Sequence, residues 1–256
     1  MENQKKSFTS PSKLKAAIVY VLMIFIGTTF LSILCGMIVA SIKGVDANAV
    51  ANSFWSKDPI PSDIKECMLI GQGYGNFLGY FIAFGAVLLW MRDDFIIDFR
   101  QIKEDKKFYG IIIPAFMIGF AGIAILIDYL FGLIVSSSEN QNTIVELLKS
   151  DGRIPMIIST VIFAPIIEEM IYRKAIFSVT QSYNLPLTYV MSIMLFALPH
   201  MLSTSANIGT WFLQLIPYVL CGGLLCMIYH LSGYNVYASI AAHMLNNILA
   251  VLFVFI

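Results

Sequence analysis

Long apolar runs separated by short polar stretches dominate the chain. They cover 16–42, 67–91, 108–135, 154–178, 186–204, 208–231 and 234–256. A helix that crosses the hydrocarbon layer needs about 20 apolar residues. The pattern therefore predicts seven crossings, or eight if a long early run or the crowded C-terminal third divides differently. The fold class this implies is all-α, a polytopic transmembrane helical bundle, because a bilayer leaves backbone polar groups no partner outside the helix. The longest polar connections, 43–66 and 92–107, are too short to form a soluble domain.

Two shorter features refine the pattern. Residues 140–149 place Ile144, Val145, Leu147 and Leu148 on one helical face, which predicts a short helix lying on the membrane or a capped surface helix. Gly71, Gly75 and Gly79 recur at four-residue spacing in the second run. No strand precedes them, so a nucleotide-binding glycine loop is excluded. Glycines at that spacing on an apolar helix let a second helix approach closely.

Composition agrees with the pattern: 58% of residues are hydrophobic and 12% charged, and the mean hydropathy is +0.79. Sixteen basic and 16 acidic residues balance, so no basic surface invites nucleic acid. Cys35, Cys67, Cys221 and Cys226 lie in or beside apolar runs without a CxxC pair and read as small buried hydrophobes. The first apolar run is too long for a cleaved signal peptide, whose core has roughly 7–15 residues. Leu34 stands before Cys35, where a lipoprotein cleavage site would have a small residue.

Lysine and arginine counts set the expected orientation. The N-terminal tail carries Lys5, Lys6, Lys13 and Lys15, and the 92–107 stretch carries Arg92, Arg100, Lys103, Lys106 and Lys107. By contrast, 43–66 has three basic residues and 136–153 has two. The N-terminus and 92–107 are thus expected in the cytoplasm, in an integral membrane protein.

The polar residues inside apolar runs carry the chemistry. Glu168 and Glu169 sit in the fourth run, where a carboxylate is costly unless something compensates it. Glu169 and Arg173 are one turn apart and can pair. Glu168, rotated by about 100°, lacks that partner and is free to take up and return a proton. His200 follows Pro199 in the fifth run, where the proline is expected to kink the helix. Pro165 similarly loosens the helix before Glu168. His243 and Asn247 share one face of the last run, and both can donate to a developing oxyanion. Asn246 points elsewhere and reads as a helix–helix hydrogen bond, and His230 reads as structural. Asp128, late in the third run, finds no place in the site. Counted along their runs, Glu168 and His243 are expected at similar depth, in a site opening to the cytoplasm.

The EExxxR run at Glu168–Arg173, FxxxH at Phe196–His200 and HxxxN at His243–Asn247 resemble, in order, the motifs of the CAAX-protease and bacteriocin-processing family (CPBP, also called Abi). This is a family of intramembrane endopeptidases. The resemblance covers about 154–250, within a helical core at 141–256. Residues 1–140 match only in being hydrophobic.

The resemblance implies peptide-bond hydrolysis inside the bundle. It casts Glu168, aided by His200, as activator of water, His243 and Asn247 as oxyanion donors, and Glu169 and Arg173 as the supporting pair. No cofactor is expected from the spacing of these residues. Zinc is the alternative, but the chain lacks the HExxH pair of a zinc helix. Short loops and the lack of targeting extensions resemble the bacterial branch, associated with peptide maturation, bacteriocin immunity or signalling-peptide export. The expected partners are a peptide or membrane-protein substrate and the lipid bilayer. Two other function classes stand beside the protease: a non-proteolytic scaffold or immunity protein, and a small transporter. Against the transporter, no repeat relates the two halves.

Overall fold

A computed structural model describes residues 11–56, 58–181, 184–202 and 205–256. Lys5 and Lys6 of the expected cytoplasmic tail, and Ser203 and Thr204 at the end of the fifth run, lie outside these. Among the described residues there are nine helices and no strand. They are α1 (Pro11–Lys43), α2 (Ala47–Ser53), α3 (Ser62–Glu104), α4 (Lys106–Gly132), α5 (Glu139–Leu148), α6 (Arg153–Phe177), α7 (Leu185–Met201), α8 (Ile208–Leu231) and α9 (Val236–Phe255). Six of them, α1, α3, α4, α6, α8 and α9, are long and apolar enough to cross a membrane. The seventh expected crossing is α7, whose 17 residues span roughly 25 Å, just short of a hydrocarbon layer of about 30 Å.

Alternate ends of successive long helices define two faces of the bundle. The N-terminal face gathers the start of α1 and the α3–α4, α6–α7 and α8–α9 connections. The opposite face carries α2, α5, the α7–α8 connection and the C-terminus.

The polar stretch 92–107 is not a loop. α3 runs through it to Glu104, and Asp105 alone separates α3 from α4. Charged residues end a membrane crossing without ending a helix, so the hydropathy change at Arg92 marks the bilayer boundary only. At 43 residues, or about 65 Å, α3 is twice what a crossing requires. Its one departure from helical geometry, at Met91 (φ −122°, ψ 17°), falls at that boundary.

The glycines of α3 meet a complementary stripe on α1. Thr28, Ser32, Gly36 and Ala40, also four residues apart, are buried there. A Cβ on Gly71 would lie 2.5 Å from the Gly36 Cα and equally close to its amide nitrogen. A Cβ on Gly79 would lie 2.5 Å from Thr28 Cγ2. Backbone thus rests on backbone, as the spacing predicts.

α5 is capped by Ser138, whose Oγ accepts from the Gln141 amide at 3.2 Å. Leu147 and Leu148 are buried against Met156 and Val251. Their apolar face therefore turns inward on the bundle rather than onto lipid.

A polar belt ties the N-terminal face together. Asp98, fully buried, takes Lys174 Nζ on one oxygen at 2.7 Å and the Val236 amide on the other at 2.7 Å. It thereby fixes the start of α9, where a negative charge also suits the helix dipole. Lys174 further donates to the Tyr234 carbonyl (2.9 Å), and Lys13 pairs with Asp94 at 2.9 Å. Tyr234, at φ +62°, occupies the left-handed region unusual for a residue with a side chain.

Cys67 and Cys226 are buried, Cys35 and Cys221 partly so, and all four are free thiols. The role expected of them as packing residues holds, most fully for the first two.

Candidate active site

α6 supplies the carboxylates. It is not a uniform helix: wide π turns at Ser159–Phe163 and Met170–Phe177 flank the ordinary turn that holds Glu168 and Glu169. Such insertions cluster at functional sites because they redirect side chains and free backbone groups. Here the freed group is the Thr160 carbonyl. Its donor in a π turn would be residue 165, a proline with no N–H, while the Ala164 amide already serves Ser159. The Asn247 side-chain amide takes that place, donating to Thr160 O at 2.8 Å. Asn247 thus stitches α9 to α6, and one N–H of its amide remains for other use.

Glu169 and Arg173 are both 0% exposed, with Arg173 Nε 3.0 Å from Glu169 Oε2. The N–H is not aimed along that line, so the contact is an ion pair rather than a linear hydrogen bond. Arg173 also donates to Ser192 Oγ at 3.0 Å and to the Gly222 carbonyl at 3.5 Å, and lies over the Phe196 ring at 5.2 Å. It therefore joins α6, α7 and α8. A Cβ on Gly222 would sit 2.9 Å from Phe196 Cδ1, so the ring's position depends on that glycine.

His243 hydrogen-bonds Glu169, with 3.2 Å between Nδ1 and Oε1. Arg173 holds Glu169 as a carboxylate, which can only accept, so Nδ1 carries the proton. The contact leaves Nε2 of the ring without a partner among the described residues. Sequence reasoning pairs Glu169 with Arg173 alone, because nothing local links residues 169 and 243.

A cavity of about 500 Å³ runs among α3 to α9, and Glu168, His200, His243 and Asn247 all line it. Glu168 is 4% exposed and has no hydrogen bond or ion pair among the described residues. His200 is not at midspan. It sits in a tight 3-10 turn at the end of α7, Leu198–Met201, which Pro199 helps to shape. Its ring stacks on Tyr218 (centroids 4.7 Å, 15°) and meets Phe196 edge-on at 5.3 Å. Phe196 in turn meets His243 at 5.8 Å. One aromatic wall therefore connects both histidines.

Two expectations are corrected. Asn246 also lines the cavity, its Nδ2 lying 3.5 Å from Asn247 Oδ1 within the same helix rather than bonded to another one. The cavity also does not open on the N-terminal face. Exposed Ser136, Ser137 and Thr143 line its mouth, which lies on the opposite face. Asp128, without a place in the sequence reading, lines the cavity on that side. Its intramembrane position was the signal. His230 is structural as expected: Nδ1 lies 2.7 Å from the Tyr189 hydroxyl, and the ring stacks on Tyr234.

A catalytic zinc takes three protein ligands and keeps an open position. Glu169 is engaged on both oxygens, which leaves Glu168 and the two imidazoles. Among the described residues no three His, Cys, Asp or Glu side chains gather as a metal site.

A helical bundle that gathers a buried carboxylate and two imidazoles around an internal cavity is consistent with a polytopic membrane protein with polar groups in its interior. Residues 150–249, from just before α6 to near the end of α9, match the family model for type II CAAX prenyl endopeptidase, Rce1-like. The chain thus carries an Rce1-like CAAX-endopeptidase domain, and the family resemblance read from the three motifs holds over that stretch. Neither the curated proteins nor the solved structures give a match.

Proposed function

We propose that the protein is an intramembrane endopeptidase that cuts a membrane-associated or exported peptide with a water activated by Glu168, without metal. The observation that carries this reading is the isolation of Glu168. It alone of the two glutamates lacks a cation, and it faces a cavity that reaches an exposed mouth.

A carboxylate so placed removes a proton from water as the oxygen attacks the scissile carbonyl, then returns it to the leaving amine. His200, on the same cavity wall, orients that water. His243, held by Glu169 and protonated from solvent before the substrate binds, faces the developing oxyanion through its Nε2–H, and the free N–H of Asn247 adds a second donor. Arg173 holds Glu169 in place and so keeps the His243 ring oriented. The bacterial roles that fit are peptide maturation, bacteriocin immunity and signalling-peptide processing.

Glu168→Gln is expected to abolish cleavage by purified protein in liposomes while leaving its thermal unfolding temperature unchanged. Glu168→Asp should retain a measurable fraction. Cleavage by the glutamine variant at the wild-type rate would remove Glu168 from the mechanism.

A further inference from the structure

Asp128 is the intramembrane carboxylate that the catalytic motifs leave unused. It lies one turn before the end of α4, in the cavity wall on the mouth side, and has no hydrogen bond or ion pair among the described residues.

A second, independent feature lines the same cavity. Gln214 of α8 is only 7% exposed, and its Nε2 donates to the carbonyls of Ser136 (2.9 Å) and Ser137 (3.2 Å), in the connection that follows α4. Both donors of that amide are therefore spent on the end of α4. Its Oε1 is buried without a partner among the described residues, and Gln214 is one of the residues that line the cavity. A buried acceptor left open is costly unless a ligand fills it. Tyr218, one turn further along α8, is tethered through its hydroxyl to Ser138 Oγ at 2.9 Å, so this wall is held in place.

The mouth half of the cavity thus offers acceptors and a negative charge. Among the described residues no lysine or arginine lines the cavity, whose other carboxyl and imidazole groups are Glu168, His200 and His243. We propose that Asp128 and the Gln214 carbonyl oxygen form a subsite for a basic side chain, lysine or arginine, of the substrate peptide. With Asp128 near the mouth and Glu168 deep inside, that residue lies to one side of the scissile bond. An ammonium or guanidinium there pairs with the Asp128 carboxylate, and its remaining N–H groups are donors of the kind the Gln214 oxygen lacks. The assignment rests on the endopeptidase reading for what happens next to the peptide, but the binding itself does not require turnover.

The test uses the purified full-length protein and N-acetylated nine-residue alanine–leucine peptides bearing a neutral dansyl label. A single lysine or glutamine is walked along each series. At its best position the lysine peptide should bind about tenfold more tightly than its glutamine twin, the scale of one well-placed charge contact. Asp128→Asn should reduce that ratio to about one, and Asp128→Lys should shift preference to a glutamate peptide. Equal binding by the wild type, or a preference that survives Asp128→Asn, overturns the proposal. A matched non-acetylated glutamine peptide that binds the wild type tightly while the acetylated lysine series shows no preference would assign the site to the amino terminus and overturn the side-chain assignment. Selective binding with no cleavage of any peptide would refute the endopeptidase reading and leave the subsite standing. Cleavage of both twins with equal kcat/KM would refute the subsite and leave the enzyme.

Discussion

At the scale of single residues, the account turns on how neighbouring glutamates acquire different environments. Glu169 is neutralised by Arg173 and spends its second oxygen on His243, whereas Glu168 faces the cavity alone. Breaking a buried ion pair strands a charge and typically costs about 3–5 kcal/mol. Arg173→Met should therefore lower stability by about that much, measured as thermal unfolding in detergent. Glu169→Met combined with Arg173→Met should recover most of the loss while activity stays low, because His243 has then lost its orienting carboxylate. A double variant no more stable than the single one would contradict this division of roles. The Glu169–Arg173 pair was legible in the sequence because residues one turn apart are neighbours on any helix. Its third member was not, since residues 169 and 243 are joined only by the packing of α6 against α9.

At the scale of helices, the irregular turns of α6 and the amide of Asn247 form one unit. Pro165 removes the donor that Thr160 O would otherwise receive, and Asn247 replaces it. Asn247→Leu should cost roughly 1–3 kcal/mol, the penalty of an unmet buried carbonyl. Adding Pro165→Ala, which restores a backbone N–H, should recover part of that stability without restoring cleavage. Equal stability of Asn247→Leu and wild type, read by chemical unfolding, would show that the stitch contributes nothing.

The proline and the asparagine were each visible in the sequence, but their relation depends on an i→i+5 turn that no hydropathy pattern reveals. The same limit explains residues 92–104. Periodicity locates where α3 leaves the hydrocarbon, at the Met91 kink, and says nothing of where its hydrogen bonds stop. Asp98, which lies in that stretch, is the buried anchor for Lys174 and the start of α9. By contrast the glycine spacing of α3 led directly to the close packing found, because small residues at four-residue intervals have few other uses on an apolar helix.

At the scale of the whole molecule, the direction in which the cavity opens decides which substrates can reach it. Basic residues concentrate on the N-terminal face: Lys13 and Lys15 beside the start of α1, and Arg92, Arg100, Lys103, Lys106 and Lys107 around the α3–α4 connection. That bias favours a cytoplasmic N-terminal face. The mouth, on the other face, then looks outward, which suits an exported peptide. A cytoplasmic N-terminus and a site opening to the cytoplasm, both expected from the sequence, exclude each other in this fold. The depths of Glu168 and His243 along their helices could be counted, whereas the direction of the opening depends on where α4, α5 and α8 leave space.

In a cysteine-free variant expressed in intact cells, Ser137→Cys should react with a membrane-impermeant maleimide and Lys106→Cys should not. The reverse pattern would place the mouth in the cytoplasm. The central claim, that Glu168 drives peptide-bond hydrolysis, is tested most directly by mass spectrometry of membrane and secreted peptides. Cells expressing wild type or Glu168→Gln at matched levels would be compared. The account predicts peptide termini present only with the wild type, which would also locate the scissile bond. Identical peptide profiles, together with a phenotype that survives in the variant, would contradict it and favour a protein that acts by binding alone.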